Sequence, residues 1–312
     1  MVLSEERIAG ILASIRERIE PELAKGKVAD YIPALARVPR ERFAMSVTFG
    51  DGRCVSVGES EEPFSIQSIS KAFTFVMALG ASGRRLYERV GVEPSGNPFN
   101  SLVQLEYESG KPRNPFINAG ALVVTDTLVS LEGSPQRALE QILAFVRAAA
   151  DTEEIDYDRE VARSEMEHAD RNLALAHLMK SFGNFENDVR EVTRTYFRQC
   201  AIAMNTRQLS RTGLFLAFGG EDPVTGRRFA SVSQAKRTNA VMLTCGHYDA
   251  SGEFAYHVGL PAKSGVGGGI LAIVPGVCSI AVWSPGLNRY GNSHAGTLAL
   301  EWFTTETGLS IF

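Results

Sequence analysis

The sequence has few cysteines and histidines, and they are not spaced for the common metal sites. Cys54, Cys200, Cys245 and Cys278 form no Cys-x-x-Cys pair, so we expect four buried free thiols. The five histidines show no metal-ligand spacing. We therefore expect neither a metal centre nor any other cofactor.

The sequence also has no excess of positive charge. Its 32 Lys and Arg residues stand against 36 Asp and Glu residues, which gives a formal net charge of −4. No block of Lys and Arg resembles a phosphate-binding patch, so we expect no nucleic-acid partner.

Long apolar runs are missing as well. No run approaches the length of a membrane span. Residues 1–20 have neither the basic start nor the continuous apolar stretch of a signal peptide. We therefore expect a cytoplasmic protein that does not bind membranes.

What is present is the composition of an ordinary globular protein, with 44% hydrophobic and 22% charged residues. Alternation with a period of two predicts strands near both ends of the chain, and Asp51-Gly52 between the first two is a hairpin signal. The predicted strands cover residues 43–49, 54–57, 254–260, 269–274 and 278–283.

Helical periodicity dominates between these strands. Ser4 is a candidate N-cap for a first helix, Ser134-Pro135 opens another, and Gly308 is placed to end the last one. Residues 93–118 are rich in Pro, Gly and Asn and are predicted to be irregular. Helices are predicted to start near residue 4 and to cover residues 135–150, 170–183, 188–203, 206–218, 231–245 and 293–307, with a further one running from the Ser68 segment to about residue 79.

Strands at both ends with helices between them predict an α/β protein of the α+β type. We expect one antiparallel sheet built from both chain ends, flanked by the terminal helices, with an inserted helical domain. The sheet domain would comprise residues 1–62 and 246–312, and the helical domain residues 63–245.

The pair with the clearest chemistry is Ser68 and Lys71, three residues apart at the start of a predicted helix. This spacing makes them neighbours on one helix face. A neutral, partly desolvated lysine amine can take the proton of a serine hydroxyl and so activate it as a nucleophile. Backbone N–H groups and the positive end of the helix dipole would favour the oxyanion that forms on attack.

The spacing alone is weak evidence, because Ser233 and Lys236 repeat it inside an amphipathic helix, where we interpret them as a solvated face. A stronger indication is Lys263-Ser264-Gly265, which leads into a glycine-dense segment. Serine acyl-enzymes with a Ser-x-x-Lys helix also carry a Lys-Thr/Ser-Gly strand edge beside the nucleophile. The same glycines would equally serve a tight turn between two strands.

Taken together, these motifs and several other short segments closely resemble those of the bacterial serine-dependent glutaminases, which have a β-lactamase/penicillin-binding-protein-like fold. The similarity runs in order from about residue 10 to residue 308. Its segments are 31–36, 67–71, 93–96, 114–121, 164–172, 196–200, 248–252, 257–266 and 291–293.

The resemblance implies a role for each matching residue near the nucleophile. Ser68 would be the nucleophile and Lys71 its general base. Of Tyr31 and Tyr248, one would relay a proton to the departing ammonia and the other would shape the pocket. The backbone N–H groups of Ser68 and Val266 would form the oxyanion hole.

The resemblance also implies which residues bind the substrate, L-glutamine, before water completes its hydrolysis. Glu165 would supply the anion for the α-ammonium group. Asn118, Asn172 and Tyr196 would donate to the α-carboxylate without a cation. The full expected set of substrate-binding residues is Ser68, Asn118, Glu165, Asn172, Tyr196, Tyr248 and Val266.

Two alternatives stay open. One is β-lactamase-like or esterase activity on the same scaffold, although the predicted helical domain offers no convincing match to the Ser-x-Asn or Tyr-x-Asn element of β-lactamases and penicillin-binding proteins. The other is a non-catalytic glutamine-binding protein that keeps the pocket without the chemistry. A homodimer or homotetramer is the assembly that the resemblance implies.

Overall fold

The computed structural model describes residues 4–95 and 101–312. Its main feature is a five-stranded antiparallel sheet in the order β2-β1-β8-β7-β6, beside a small sheet in the order β3-β5-β4. The strands are β1 (Ala44–Phe49), β2 (Cys54–Gly58), β3 (Phe64–Ser65), β4 (Asp156–Tyr157), β5 (Ile202–Met204), β6 (Ala262–Ser264), β7 (Gly269–Val274) and β8 (Cys278–Trp283).

The two ends of the chain meet in the centre of this sheet. Strand β1 pairs with β8, and Ala44 lies opposite Trp283. The predicted hairpin joins β1 to β2, and Gly52 in its turn has a φ of 88°, a conformation that glycine adopts without steric cost. The predicted sheet from both chain ends is confirmed.

Most of the α-helices lie between β2 and β6 in the sequence. The described α-helices are α1 (Glu5–Ile19), α2 (Ser70–Ser82), α3 (Leu86–Arg89), α4 (Leu102–Tyr107), α5 (Asn118–Glu132), α6 (Pro135–Ala150), α7 (Arg159–Glu167), α8 (Asp170–Ser181), α9 (Val189–Cys200), α10 (Thr206–Thr212), α11 (Leu214–Ala217), α12 (Val232–Cys245), α13 (Ser251–His257) and α14 (His294–Thr307).

The main sheet is covered on both faces because its strands are apolar on both sides. Ile270 and its neighbours at every second position pack against α1 and α14, whereas Leu271 and Ile273 face the core of the helical region. This alternation follows from the pleat of a strand. The predicted α+β class with helices on the sheet is confirmed, and the division at residues 62 and 246 stays a prediction.

The predicted strand 254–260 is wrong. Residues 251–257 form α13, and the edge strand is β6 instead. Phe254 and Val258 are buried, while Tyr256 is 86% exposed. The apolar period of two is therefore accidental, because the two buried side chains are four residues apart on one helix face.

Other boundaries also differ from the prediction. The segment 206–218 forms two helices, α10 and α11, with Gly213 between them. The predicted helix 188–203 ends at Cys200, after which β5 begins. The segment 93–118 contains the helix α4, and its residues 96–100, which include the last residue of the 93–96 match, lie outside the described residues.

The four cysteines are free, but Cys54 is only partly buried, so the prediction of four buried thiols is wrong for that one. Cys54 lies in β2, at the edge of the main sheet, where fewer neighbours cover it. In residues 4–95 and 101–312, no helix combines the length and apolar character needed to cross a bilayer.

Candidate active site

Ser68 lies in a single turn of 3₁₀-helix, Gln67–Ile69, between β3 and α2. The sequence predicts one helix for Ser68 and Lys71. In the structure, Lys71 lies in the first turn of α2, and Ser68 lies in the 3₁₀ turn that precedes it. The turn is tight: Gln67 has a φ of 50°, and Ser70 donates a hydrogen bond to the Gln67 carbonyl at 2.8 Å. A non-glycine residue in this region of φ carries backbone strain, and here the strain lies next to Ser68.

Lys71 is buried directly behind the Ser68 turn, with 1% of its surface exposed. Its Nζ donates to Asn118 Oδ1 at 2.8 Å and to the Phe116 carbonyl at 3.2 Å. Burial disfavours the charged ammonium and lowers the pKa of Lys71 to about 8. A part of the Lys71 side chains is therefore uncharged near neutral pH.

A cavity of about 590 Å³ opens in front of Ser68. Eight of the nine predicted site residues line it, and Lys71 lies behind the wall rather than in it. Because they come from six helical segments and two loops, tertiary packing is what brings them together. The eight are Tyr31, Ser68, Asn118, Glu165, Asn172, Tyr196, Tyr248 and Val266.

One wall of the cavity is a chain of polar groups from three helices. Asn118 begins α5, and its Nδ2 donates to Oδ1 of Asn172 in α8 at 3.0 Å. The hydroxyl of Tyr196 in α9 lies 3.4 Å from Asn118 Oδ1. That oxygen also accepts from Lys71, so the wall is connected to the buried amine.

Glu165 supplies the buried negative charge of the cavity. It lies near the end of α7 with 8% of its surface exposed. Burial raises the pKa of Glu165 to about 7, although the hydrogen bond from Gln67 and the charge of Lys71 act in the opposite direction. A cationic group entering the cavity would stabilise the carboxylate and bring this pKa down again.

Tyr248 and Tyr31 lie at different depths. Tyr248 has a φ of 53°, its hydroxyl donates to the Ser264 carbonyl at 3.5 Å, and its side chain lies beside Ser68. Burial raises the pKa of Tyr248, which keeps the phenol protonated. Tyr31 lies in the outer part of the cavity with 57% of its surface exposed. Tyr248 therefore lies beside Ser68, the predicted nucleophile, and Tyr31 lies nearer to the solvent.

The glycine-rich turn after β6 brings Val266 to the cavity by close backbone packing. A Cβ on Gly265 would lie 2.4 Å from the Ile66 carbonyl oxygen, and one on Gly267 would lie 2.3 Å from that of Ser65. Only glycine permits such an approach. Trp283 Nε1 donates to the Gly267 carbonyl at 3.0 Å and fixes the turn from the other side.

Lys263, the lysine of the Lys-Ser-Gly edge, does not line the cavity. Its side chain is fully buried, and Nζ donates to the carbonyls of Gly246 at 3.0 Å and Ser264 at 2.7 Å. Burial, together with the charge of Lys71, holds its pKa well below the usual range. Nζ also lies 4.7 Å from the ring centre of Tyr248, so Lys263 supports that ring from behind.

The cavity also contains side chains that the sequence did not single out. Arg171 and Arg289 contribute positive charge, although the expected carboxylate site had no cation. The Arg289 guanidinium lies 4.6 Å from the ring centre of Tyr290 and donates to its hydroxyl at 2.5 Å. Arg171 adjoins Asn172 in a matched segment, which is the only sequence signal for it. Gln67 and His168 also line the cavity.

The family model named Glutaminase matches residues 26–312 of the chain. A glutaminase from Aliarcobacter butzleri (strain RM4018) is 57% identical over 302 residues, covering 97% of this chain and 98% of the relative. A glutaminase from Rhizobium meliloti (strain 1021) is 54% identical over 308 residues, covering 99% and 98%.

Solved structures agree with this similarity. A probable glutaminase, ybaS, superposes with a TM-score of 0.94 at 36% identity and covers 99% of each chain. A probable glutaminase from Bacillus subtilis complexed with 6-diazo-5-oxo-L-norleucine has a TM-score of 0.89 at 35% identity, covering 100% of this chain and 99% of the other.

Proposed function

The chain belongs to the glutaminase family and is an amidohydrolase, and from this premise we propose that it hydrolyses L-glutamine to L-glutamate and ammonia through an acyl-enzyme on Ser68. The observation that carries the proposal is the arrangement around Ser68. Its side chain lies beside Tyr248 and faces a cavity that the buried Glu165 carboxyl also lines, and the buried Lys71, with its lowered pKa, follows three residues later.

In the first step, Ser68 Oγ attacks the side-chain carbonyl carbon of glutamine while Lys71 accepts its proton. The new C–O bond gives a tetrahedral intermediate whose oxyanion is bound by the backbone N–H groups of Ser68 and Val266. The C–N bond then breaks. Tyr248 donates its phenol proton to the leaving nitrogen and takes up the proton that Lys71 had accepted, so ammonia departs neutral and Lys71 is neutral again.

In the second step, water attacks the carbonyl carbon of the glutamyl ester while Lys71 accepts its proton, and that proton then passes to the departing Ser68 Oγ. The C–O bond to Ser68 breaks, and glutamate leaves. With a pKa of about 8, about one in ten Lys71 side chains is neutral at pH 7. That fraction is enough for a working general base and rises with pH.

The cavity distinguishes the two charges of the amino-acid end. Glu165 binds the α-ammonium group, since it is the carboxylate in the lining. Asn118, Asn172 and Tyr196 hydrogen bond to the α-carboxylate. Arg289, which also lines the cavity, adds long-range attraction for that carboxylate from the rim.

The direct test is ammonia release from L-glutamine and L-asparagine by the wild type and Ser68→Ala. We expect glutamine turnover by the wild type and none by the variant. Incubation with 6-diazo-5-oxo-L-norleucine followed by peptide mass spectrometry should add its mass, less N₂, to the Ser68 peptide.

Three outcomes would contradict the proposal. Turnover of nitrocefin or p-nitrophenyl esters above that of glutamine would indicate a β-lactamase-like or esterase activity. Glutamine binding without ammonia release would indicate a non-catalytic binding protein. Ammonia release that survives in Ser68→Ala would remove Ser68 as the nucleophile.

A further inference from the structure

A second concavity, separate from the active-site cavity, lies between α7 and α9. Its volume is about 310 Å³, and four arginines contribute to its lining. Its lining includes Arg159, Arg163, Arg194, Arg198, Tyr157 and Met166.

The helical repeat explains why the four guanidinium groups converge. Arg159 and Arg163 are four residues apart on α7, and Arg194 and Arg198 are four residues apart on α9. Residues with this spacing lie on the same helix face. Helices α7 and α9 pack against each other, so the two faces meet in one concavity.

The positive charge there is poorly balanced by the protein itself. No Asp or Glu belongs to the described lining. Arg194 pairs with Glu191 in an exposed ion pair, and the Arg198 guanidinium lies 5.9 Å from the ring centre of Tyr157. Within the described residues, neither Arg159 nor Arg163 forms an ion pair.

The two carboxylates that flank Arg159 in the sequence are engaged elsewhere. Asp158 caps α7 by accepting from the backbone N–H groups of Glu160 and Val161. Glu160 pairs with Arg37. By contrast, other arginines of this chain, such as Arg211 with Asp222, bond to a carboxylate directly.

Four like charges in one concavity repel each other, and an anion with several oxygens relieves that repulsion. Guanidinium groups match phosphoryl oxygens in geometry, because each presents two parallel N–H donors. We propose that the concavity between α7 and α9 binds a small polyvalent oxyanion, a compound that carries two or more phosphoryl groups. Tyr157 and Met166 provide an apolar wall for its organic part.

A small ligand fits better than a long polyanion. The concavity has room for a few phosphoryl groups, at about 310 Å³. The chain as a whole is negative, at −4, so a nucleic acid extending beyond the concavity would be repelled. None of these observations depends on the chemistry proposed for Ser68.

The test uses inorganic tripolyphosphate as the probe, measured by isothermal titration calorimetry and thermal unfolding at low salt. We compare the wild type with Arg159→Gln/Arg163→Gln. The matched control is Arg190→Gln, because Arg190 is also an exposed arginine of α9 but does not line the concavity. Ammonia release from glutamine checks that each variant is folded.

We expect saturable one-to-one binding and a raised Tm for the wild type and for Arg190→Gln. The double variant should bind at least tenfold more weakly, and Arg163→Lys should fall between, since it keeps the charge but loses the paired donors. Absence of saturable binding to the wild type, or equal binding by the double variant, would overturn the proposal. Tighter binding of single-stranded RNA, with displacement of tripolyphosphate, would also overturn the proposal.

Discussion

Gln67 donates a hydrogen bond from its Nε2 to Oε1 of Glu165 at 2.8 Å. The residue immediately before the proposed nucleophile thus holds the carboxylate proposed to bind the far end of the substrate. The two residues are 98 positions apart in the chain. Because Gln67 also has a positive φ, its strained conformation serves both the Ser68 turn and the Glu165 carboxylate.

Replacing Gln67 by Leu is therefore expected to weaken substrate binding. Leu keeps the approximate volume but removes the donor, so the pKa of Glu165 should rise further above about 7. We expect kcat/KM at pH 7 to fall about 10- to 100-fold, the range for losing a hydrogen bond to a charged group. The pH profile should also move to higher pH. Ser65→Ala, which removes the other acceptor of Gln67 Nε2, is the control, and an unmoved profile in Gln67→Leu would contradict this role.

The lowered pKa of Lys71 predicts the direction of the pH dependence. A general base must be neutral, and lysine is neutral above its pKa, so kcat/KM should rise with pH through about 8. Lys71→Arg should be as damaging as Lys71→Ala, because arginine stays protonated. Initial rates across the pH range test this, and a rate flat from acidic to alkaline pH would argue against Lys71 as the base.

Removing the Tyr248 hydroxyl should slow the chemical step. In Tyr248→Phe the ring next to Lys263 is kept, while the hydroxyl beside Ser68 is lost. We expect kcat to fall by about 10²- to 10⁴-fold with little change in KM, as for loss of a positioned proton donor. Tyr31→Phe is the comparison variant, and a larger loss of kcat there would make Tyr31 the proton donor instead.

The charge of Arg289 should act on substrate capture rather than on catalysis. Arg289→Gln is expected to raise KM for glutamine about threefold to tenfold at low salt, with kcat unchanged, because a rim charge acts through long-range attraction. Arg289→Lys keeps the charge and should stay near the wild type. Steady-state kinetics at low and high salt measure the effect, and an equal KM for Arg289→Gln and the wild type at low salt would remove this role.

The ion pair between Arg211 and Asp222 predicts a stability effect away from the site. Two parallel N–H groups of Arg211 donate to Asp222 at 2.9 and 2.7 Å, and Asp222 is 1% exposed. Removing one partner of a buried pair costs about 3–5 kcal/mol. Urea unfolding should show this loss in Asp222→Ala, whereas Glu221→Ala, which breaks an exposed pair with Arg228, should cost less than about 1 kcal/mol.

The same pair gives a pH dependence of stability. Burial alone would raise the pKa of Asp222, but the hydrogen bonds from Arg211 and Thr225 outweigh it and lower that pKa below its usual value. A carboxyl with a lowered folded-state pKa stabilises the protein above its unfolded-state pKa, and that contribution is lost as the pH falls. The difference in unfolding free energy between the wild type and Asp222→Ala should therefore shrink below about pH 4.

The sequence by itself determined the local elements and the reaction class. Strands β1, β2, β7 and β8 follow from alternation and turn residues, and the fold class follows from their position at both chain ends. The resemblance to a family, carried by ordered short segments, identified the enzyme. These signals lie within short windows, where periodicity and turn chemistry act directly.

Only the tertiary structure decided which distant residues share one environment. The alternation of apolar residues predicts a strand where the structure has α13. Phe254 and Val258 are buried because they lie on the face of α13 that packs into the apolar cluster beside the sheet. The bond between Gln67 and Glu165, the Arg289 charge at the cavity and the lowered pKa of Lys71 depend on helices that meet only in the folded chain. The same holds for the arginines of α7 and α9, which form no charged block in the sequence and gather only because two helix faces meet.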